Sequence, residues 1–158
     1  MLGKLTRWLR MLGYDVEFTP DASDERLIAR ALETGRVLLT RDIELYRRAV
    51  KSGVEALLAD GVNQAENLAK LSERFRVRLT FDEAFTRCPL CNAPLTEVDA
   101  ESIRRRVAQS TLDRYQEFWL CTNPMCKKVY WQGSHWVKIK EILNNSKDYL
   151  KRRQVHSG

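Results

Sequence analysis

Four cysteines constrain this chain more than any other feature. All lie beyond residue 87, as two close pairs: Cys88 and Cys91 in CPLC, Cys121 and Cys126 in CTNPMC, with 29 residues between the pairs. Each pair sits on a short turn, favoured by Pro89 or Pro124, that can offer two sulfurs to one ion. Four thiolates at the corners of a tetrahedron suit zinc. The neighbouring runs, Phe85 to Arg87, Glu117 to Leu120 and Val129 to Trp131, read as hairpin strands, which outlines a zinc ribbon. The competing readings are four unrelated reduced thiols, or a redox pair at Cys88 and Cys91. The second pair weakens both. No open coordination position is needed, so Zn²⁺ is expected to fold the module and not to do chemistry.

The cysteine-free first eighty residues alternate between helix and strand patterns. Leu2, Leu5, Leu9 and Leu12 recur at helical spacing, and Gly13 is a stop. Tyr14 to Phe18 reads as a short strand. Ser23 or Asp24 caps a helix running through Ile28, Ala31 and Leu32 to Gly35. Arg36 to Thr40 is a compact apolar strand, apolar at successive positions as a strand buried on both faces would be. A helix over about 42–52, a strand over 54–59, a helix over 62–74 and a last strand over 76–80 complete the pattern. Such alternation implies right-handed crossovers and a parallel sheet. The expected fold is therefore α/β with a short parallel sheet, followed by a small β-rich zinc ribbon. The boundaries fall at residues 1–80, 81–143 and a basic polar tail over 144–158, loose at its end and including His156. No apolar run reaches the roughly 20 residues of a membrane span. Lys4, Arg7 and Arg10 interrupt the start, which excludes a signal peptide. A cytoplasmic protein is the expectation.

In parallel sheets the functional crevice lies beyond the carboxyl ends of the strands. Three successive strand patterns deliver acids there: Asp21 and Asp24, then Asp42, then Asp60. Turns favour Asp in any case, and Asp24 and Asp42 each stand at a helix start, so capping is the competing reading for each. Taken jointly, a carboxylate cluster of Asp24, Asp42 and Asp60 needs a counter-charge. Mg²⁺ or Mn²⁺ supplies it through oxygen ligands and supports phosphodiester cleavage. Lys4, Arg7 and Arg41 are placed to meet flanking phosphates. No glycine-rich phosphate loop or Ser-His-Asp pattern is present.

The net charge is +6, and Lys127 to Arg153 holds eight basic residues against two acidic ones. This favours a polyanion partner, with a solvated charged surface as the alternative. Tyr130, Trp131, His135 and Trp136 cluster beside Gly133, with Lys127, Lys128 and Lys138 around them. Unstacked RNA bases rest on aromatic faces while neighbouring cations hold phosphates. The alternative is a miniature ribbon core, and His135 hydrogen-bonding within its turn.

The runs MLGKLTRWLRMLGYDV, GRVLLTRD, RCPLCNAPL and VYWQGSHW, in this order, resemble the Mut-seven C-terminal RNase-domain family from Met1 to about Leu143. The resemblance implies a PIN-like three-layer nuclease domain joined to a zinc ribbon, and a metal-dependent ribonuclease with RNA as substrate. It places Asp24 and Asp42 on acidic positions of the PIN-like pattern, with Asp60 a weaker correspondence. The departure is at the start. Members of the family open with a short strand ending in Asp before the MLGxL helix, whereas this sequence begins at Met1. The second expectation is therefore a catalytically impaired RNA-binding or assembly module lacking the first-strand Asp.

Overall fold

The computed structural model describes residues 2–158. Met1, where the resemblance to the family begins, lies outside the described residues. The first half is α/β. Helix α1 (Leu2–Met11) is followed by α2 (Asp24–Thr34), strand β1 (Leu38–Thr40), α3 (Ile43–Lys51), strand β2 (Ala56–Leu58) and α4 (Gln64–Phe75). Strands β1 and β2 pair in parallel, with Leu38 opposite Ala56 and Thr40 opposite Leu58. Local chemistry fixes the helix ends. Ser23 Oγ accepts from the Arg26 amide and Gly35 ends α2 in the left-handed region. Asp42 accepts from the Glu44 and Leu45 amides to start α3. Asn63 does the same for α4. Each such cap contributes about 0.5–2 kcal/mol.

The second half carries a separate three-stranded antiparallel sheet in the order β3-β4-β5. Its strands are β3 (Leu95–Val98), β4 (Phe118–Cys121) and β5 (Val129–Tyr130). Between β3 and β4 lie a 3₁₀ turn at Glu101–Ile103 and the short helix α5 (Gln109–Arg114). Ile103, Phe118 and Val129 form a miniature core with Val107, Leu112 and Tyr115 around it. The chain ends in a long helix, α6 (Trp136–His156).

Several expected elements differ. Tyr14 to Phe18 makes no strand: the Val16 amide donates to Asn92 Oδ1 and its carbonyl accepts from Arg10, so side chains take the bonds a ladder would need. Arg76 to Thr80 makes none either. Arg76 turns into the left-handed region, and Val77 and Leu79 alternate into the core without a strand partner. Phe85 to Arg87 is not a hairpin strand. The strand of the first cysteine pair follows it, as β3, and Arg87 makes only an isolated bridge to Pro94.

The expected loose tail is also overturned. Helix α6 runs unbroken through residue 144 to His156, whose Nδ1 lies 2.8 Å from the Arg152 carbonyl. Ile139, Ile142, Leu143 and Leu150 join the core of the first half, and Arg153 pairs with Glu73 of α4 at 2.6 Å. An apolar stripe at spacings of three, one and seven residues has outweighed the polar composition of the segment. No helix among the described residues is long and apolar enough to cross a membrane.

Candidate functional site

The cysteine pairs occupy two turns of the same build. In the first, the Asn92 amide donates to the Cys88 carbonyl and the Cys88 amide to the Ala93 carbonyl. In the second, the Cys126 and Lys127 amides both donate to the Asn123 carbonyl. Each turn reverses through a left-handed residue directly after its second cysteine, Asn92 at φ 73° and Lys127 at φ 50°. The reversal aims both sulfurs of a pair to one side.

The four sulfurs meet. All lie within 4.8 Å of one another. Cys88 and Cys126 are 3.8 Å apart, and Cys91 and Cys121 3.3 Å. These separations exclude disulfides, whose sulfurs stand about 2.05 Å apart. Ligands about 2.3 Å from a tetrahedral zinc stand about 3.8 Å from each other, so the donor set fits. The four cysteines are thus placed to hold one metal ion.

Neighbouring groups hold this cluster. The Tyr130 hydroxyl lies 3.0 Å from Cys88 Sγ. Burial first, and then Cys88, push the Tyr130 pKa up. The phenol is thereby kept protonated, and beside a metal-bound thiolate it would supply the kind of outer-shell hydrogen bond that orients metal ligands. Burial also pushes the Cys121 thiol up, to about 12. At Cys91 burial acts in the same sense, but the Ala93 amide and neighbouring thiols outweigh it and bring the group down to about 7.

Arg10 fastens the first half to this centre. Its guanidinium donates to the Val16 carbonyl at 2.7 and 3.0 Å and to the Pro89 and Leu90 carbonyls at 3.0 and 3.2 Å. Burial lowers its pKa, and the Cys91 and Cys88 thiols act against that. Asn92 adds a second tie, accepting from the Val16 amide and donating to Asp15. Sequence reading missed both residues.

The acidic residues behave differently. Asp42 and Asp60 follow the paired ends of β1 and β2, at the carboxyl edge of the sheet. Asp24, in the first turn of α2, is 3.0 Å from Arg48 of α3, which also binds Glu25 at 2.6 Å. The Asp42 charge also acts on this guanidinium, after Glu25 and Asp24, but its carboxylate is bound to the Glu44 and Leu45 amides. Asp60 pairs with Lys70, which holds its carboxyl below the usual range. Among the described residues, the only trio or larger group of ligand atoms placed for a metal is the cysteine set. Asp24, Asp42 and Asp60 do not converge as three ligands of one ion.

The aromatic residues do converge. Tyr130, Trp131, His135 and Trp136 all line one cavity of about 70 Å³. Trp119 lines it too. Lys127, Lys128 and Lys138 are exposed, as are Lys4, Arg7 and Arg41.

Comparison with known proteins assigns this arrangement. The sequence matches the Mut7-C RNase domain over residues 1–143, nearly its whole length. The chain belongs to the Mut7-C RNase domain family. It is 34% identical over 95 residues to the human exonuclease mut-7 homolog. That alignment takes in 58% of this chain and 11% of the relative, so this Mut7-C chain spans a small part of that protein's length. No solved structure matches it.

Proposed function

We propose that this Mut7-C chain is a metal-dependent ribonuclease whose α/β half is PIN-like and whose cysteine-bound half grips RNA. The observation that carries the reading is the placing of Asp42 and Asp60 just beyond the carboxyl ends of the paired strands, with Asp24 tied by Arg48 to the helix that Asp42 starts, in a chain of an RNase-domain family. Mg²⁺ needs only one or two protein carboxylates when waters and substrate phosphate complete its shell. Asp24 and Asp42 suffice for that, with Asp60 in a lesser role because Lys70 already neutralises it. A divalent ion there would activate water and offset charge on the phosphoryl oxygens.

The chain's own residues position the strand. Arg48 holds Asp24 and Glu25 in place and offers a guanidinium to a phosphate. Arg41, next to Asp42, and Lys4 and Arg7 on the exposed face of α1 meet flanking phosphates. The four cysteines hold Zn²⁺, which folds the ribbon and so sets the aromatic cavity beside it.

A second reading is an RNA-binding or assembly module without cleavage. It is favoured by one observation: each of the three carboxylates already has a partner, Arg48, the α3 amides or Lys70. Cleavage of single-stranded and structured RNA in Mg²⁺ or Mn²⁺ separates the two. The ribonuclease reading expects turnover that Asp42→Asn removes. Turnover unchanged by Asp42→Asn refutes the assigned site, and salt-dependent binding without turnover supports the second reading.

A further inference from the structure

The cavity of about 70 Å³ lies where the end of α1, the 81–86 segment, the antiparallel sheet and the first turn of α6 meet. Its walls are aromatic. Trp119 and Tyr130 face each other across the β4–β5 ladder. Trp136 meets the edge of Phe81 at 4.4 Å between ring centres. Trp131 and His135 flank Gly133, where a Cβ would lie 3.1 Å from the Trp131 indole nitrogen and 3.4 Å from the imidazole. A side chain here would crowd both rings by a few tenths of an ångström.

Besides Thr86 and His135, a hydrogen-bonded polar pair stands in the largely apolar lining. Gln132 Nε2 donates to Glu83 Oε2 at 3.2 Å, and both residues line the cavity. Gln132 has spent one N–H on this bond. What remains is the second Gln132 N–H, the Gln132 amide oxygen and the rest of the Glu83 carboxylate, so acceptor sites outnumber donors in this pair. Aromatic walls with an acceptor-rich edge suit a flat ring that presents adjacent N–H donors.

We propose that this cavity receives the Watson–Crick edge of an unpaired guanine. Guanine sets N1–H beside its N2 amino group, two donors for one carboxylate. Uracil flanks its single N3–H with two carbonyls, which the carboxylate repels. Adenine and cytosine each set an acceptor nitrogen beside the amino group. The cavity takes the leading edge of the base, and the rest of the ring lies against Trp131 and His135 at the exposed side. Lys138, three residues after His135 on the helix, meets the adjoining phosphate. The inference deepens the RNA reading above and rests on it for its ligand.

The test measures binding of fluorescently labelled single-stranded oligouridines to the full chain, without added Mg²⁺ or Mn²⁺. One oligonucleotide carries a single central guanine, a second a single central adenine, and a third neither. The guanine strand is expected to bind on the order of tenfold tighter than the other two, the scale of one good two-point base contact. Glu83→Gln is expected to erase that preference, and Trp131→Leu to weaken all three strands. Metal content and melting curves establish that both variants fold. Equal affinity for the three strands, or a preference that survives Glu83→Gln, overturns the proposal. So does displacement of the strand by an apolar peptide but not by guanosine monophosphate. A chain that never cleaves RNA yet keeps the guanine preference defeats the ribonuclease reading and leaves this one standing. Cleavage without the preference does the reverse.

Discussion

The cysteine centre and the acidic edge are both candidate metal sites, but their side chains stand in opposite situations. At the centre, ligand atoms from two distant turns come within 4.8 Å of one another. At the edge, the carboxylates are already served: Asp24 by Arg48, Asp42 by the first amides of α3, Asp60 by Lys70. Four buried or half-buried thiols gathered without a cation in their midst call for one. Carboxylates that hold a guanidinium or a helix end do not. A metal at the cysteines is therefore part of folding. A metal at the edge would have to displace the partners these carboxylates already hold.

The largest effect is expected at the cysteines. Cys88→Ser should remove the metal and unfold the ribbon, because structural zinc contributes about 10–16 kcal/mol in small zinc modules. Metal content should fall from near one ion per chain, and the cooperative melt of the second half should vanish. A variant that keeps its metal and its melting curve breaks the contrast between the two regions.

Arg10→Met comes next. It leaves the Val16, Pro89 and Leu90 carbonyls without their donor in a site where Arg10 is only 7% exposed. Losing such a buried cation with its bonds should cost about 3–5 kcal/mol. Methionine keeps most of the side-chain volume, so the loss reads out the tie itself. Thermal unfolding measures it. If metal content persists while the first half melts early, the centre anchors the α/β half through Arg10.

Asp42→Asn sharpens the comparison from the other side. Asparagine caps a helix about as well as aspartate, so stability should change by only a few tenths of a kcal/mol. Cleavage should nonetheless fall by on the order of 100-fold, at least what the loss of an outer partner costs a metal site. Rate and melting temperature measured on the same preparation separate the two roles. A melting shift without loss of rate would make Asp42 a helix cap and nothing more.

The two regions also differ in how much of them the sequence discloses. The cysteine site was readable because its geometry is local: two turns, each with two ligands a few residues apart, need only be brought together. The caps at Ser23 and Asp42, and the helices they start, were readable for the same reason. What escaped depends on contacts across the chain. Tyr14 to Phe18 looks like a strand, yet Asn92, 76 residues after Val16, takes its hydrogen bond. Residues 144–158 look like a tail by composition. They form a helix because Leu143 and Leu150 find the core beside α4. Tyr130 was read as an RNA-stacking residue, and it does line the cavity, but its hydroxyl is turned to Cys88. Arg48, which ties Asp24 of α2 to α3, had no signal in spacing at all.

The smallest effect is expected at Asp60. Lys70 first, and then its charge with that of Arg153, hold the Asp60 carboxyl below its ordinary value, against the opposing effect of burial. A carboxyl depressed in the folded state adds stability above its unfolded value, near pH 4, and loses it as the pH falls through the folded one. The side chain is 56% exposed, so water screens the pair and its worth is below about 1 kcal/mol. Melting curves of the unmodified chain and Asp60→Asn should therefore differ slightly at neutral pH and converge as the pH falls below the ordinary carboxylate range. Cleavage by Asp60→Asn should stay well above that of Asp42→Asn, since Lys70 keeps this carboxylate from a metal. If Asp60→Asn instead loses as much rate as Asp42→Asn, then Lys70 releases the carboxylate when RNA binds. The acidic edge would then assemble its third ligand only around substrate, in the way the cysteine centre assembles four around an ion.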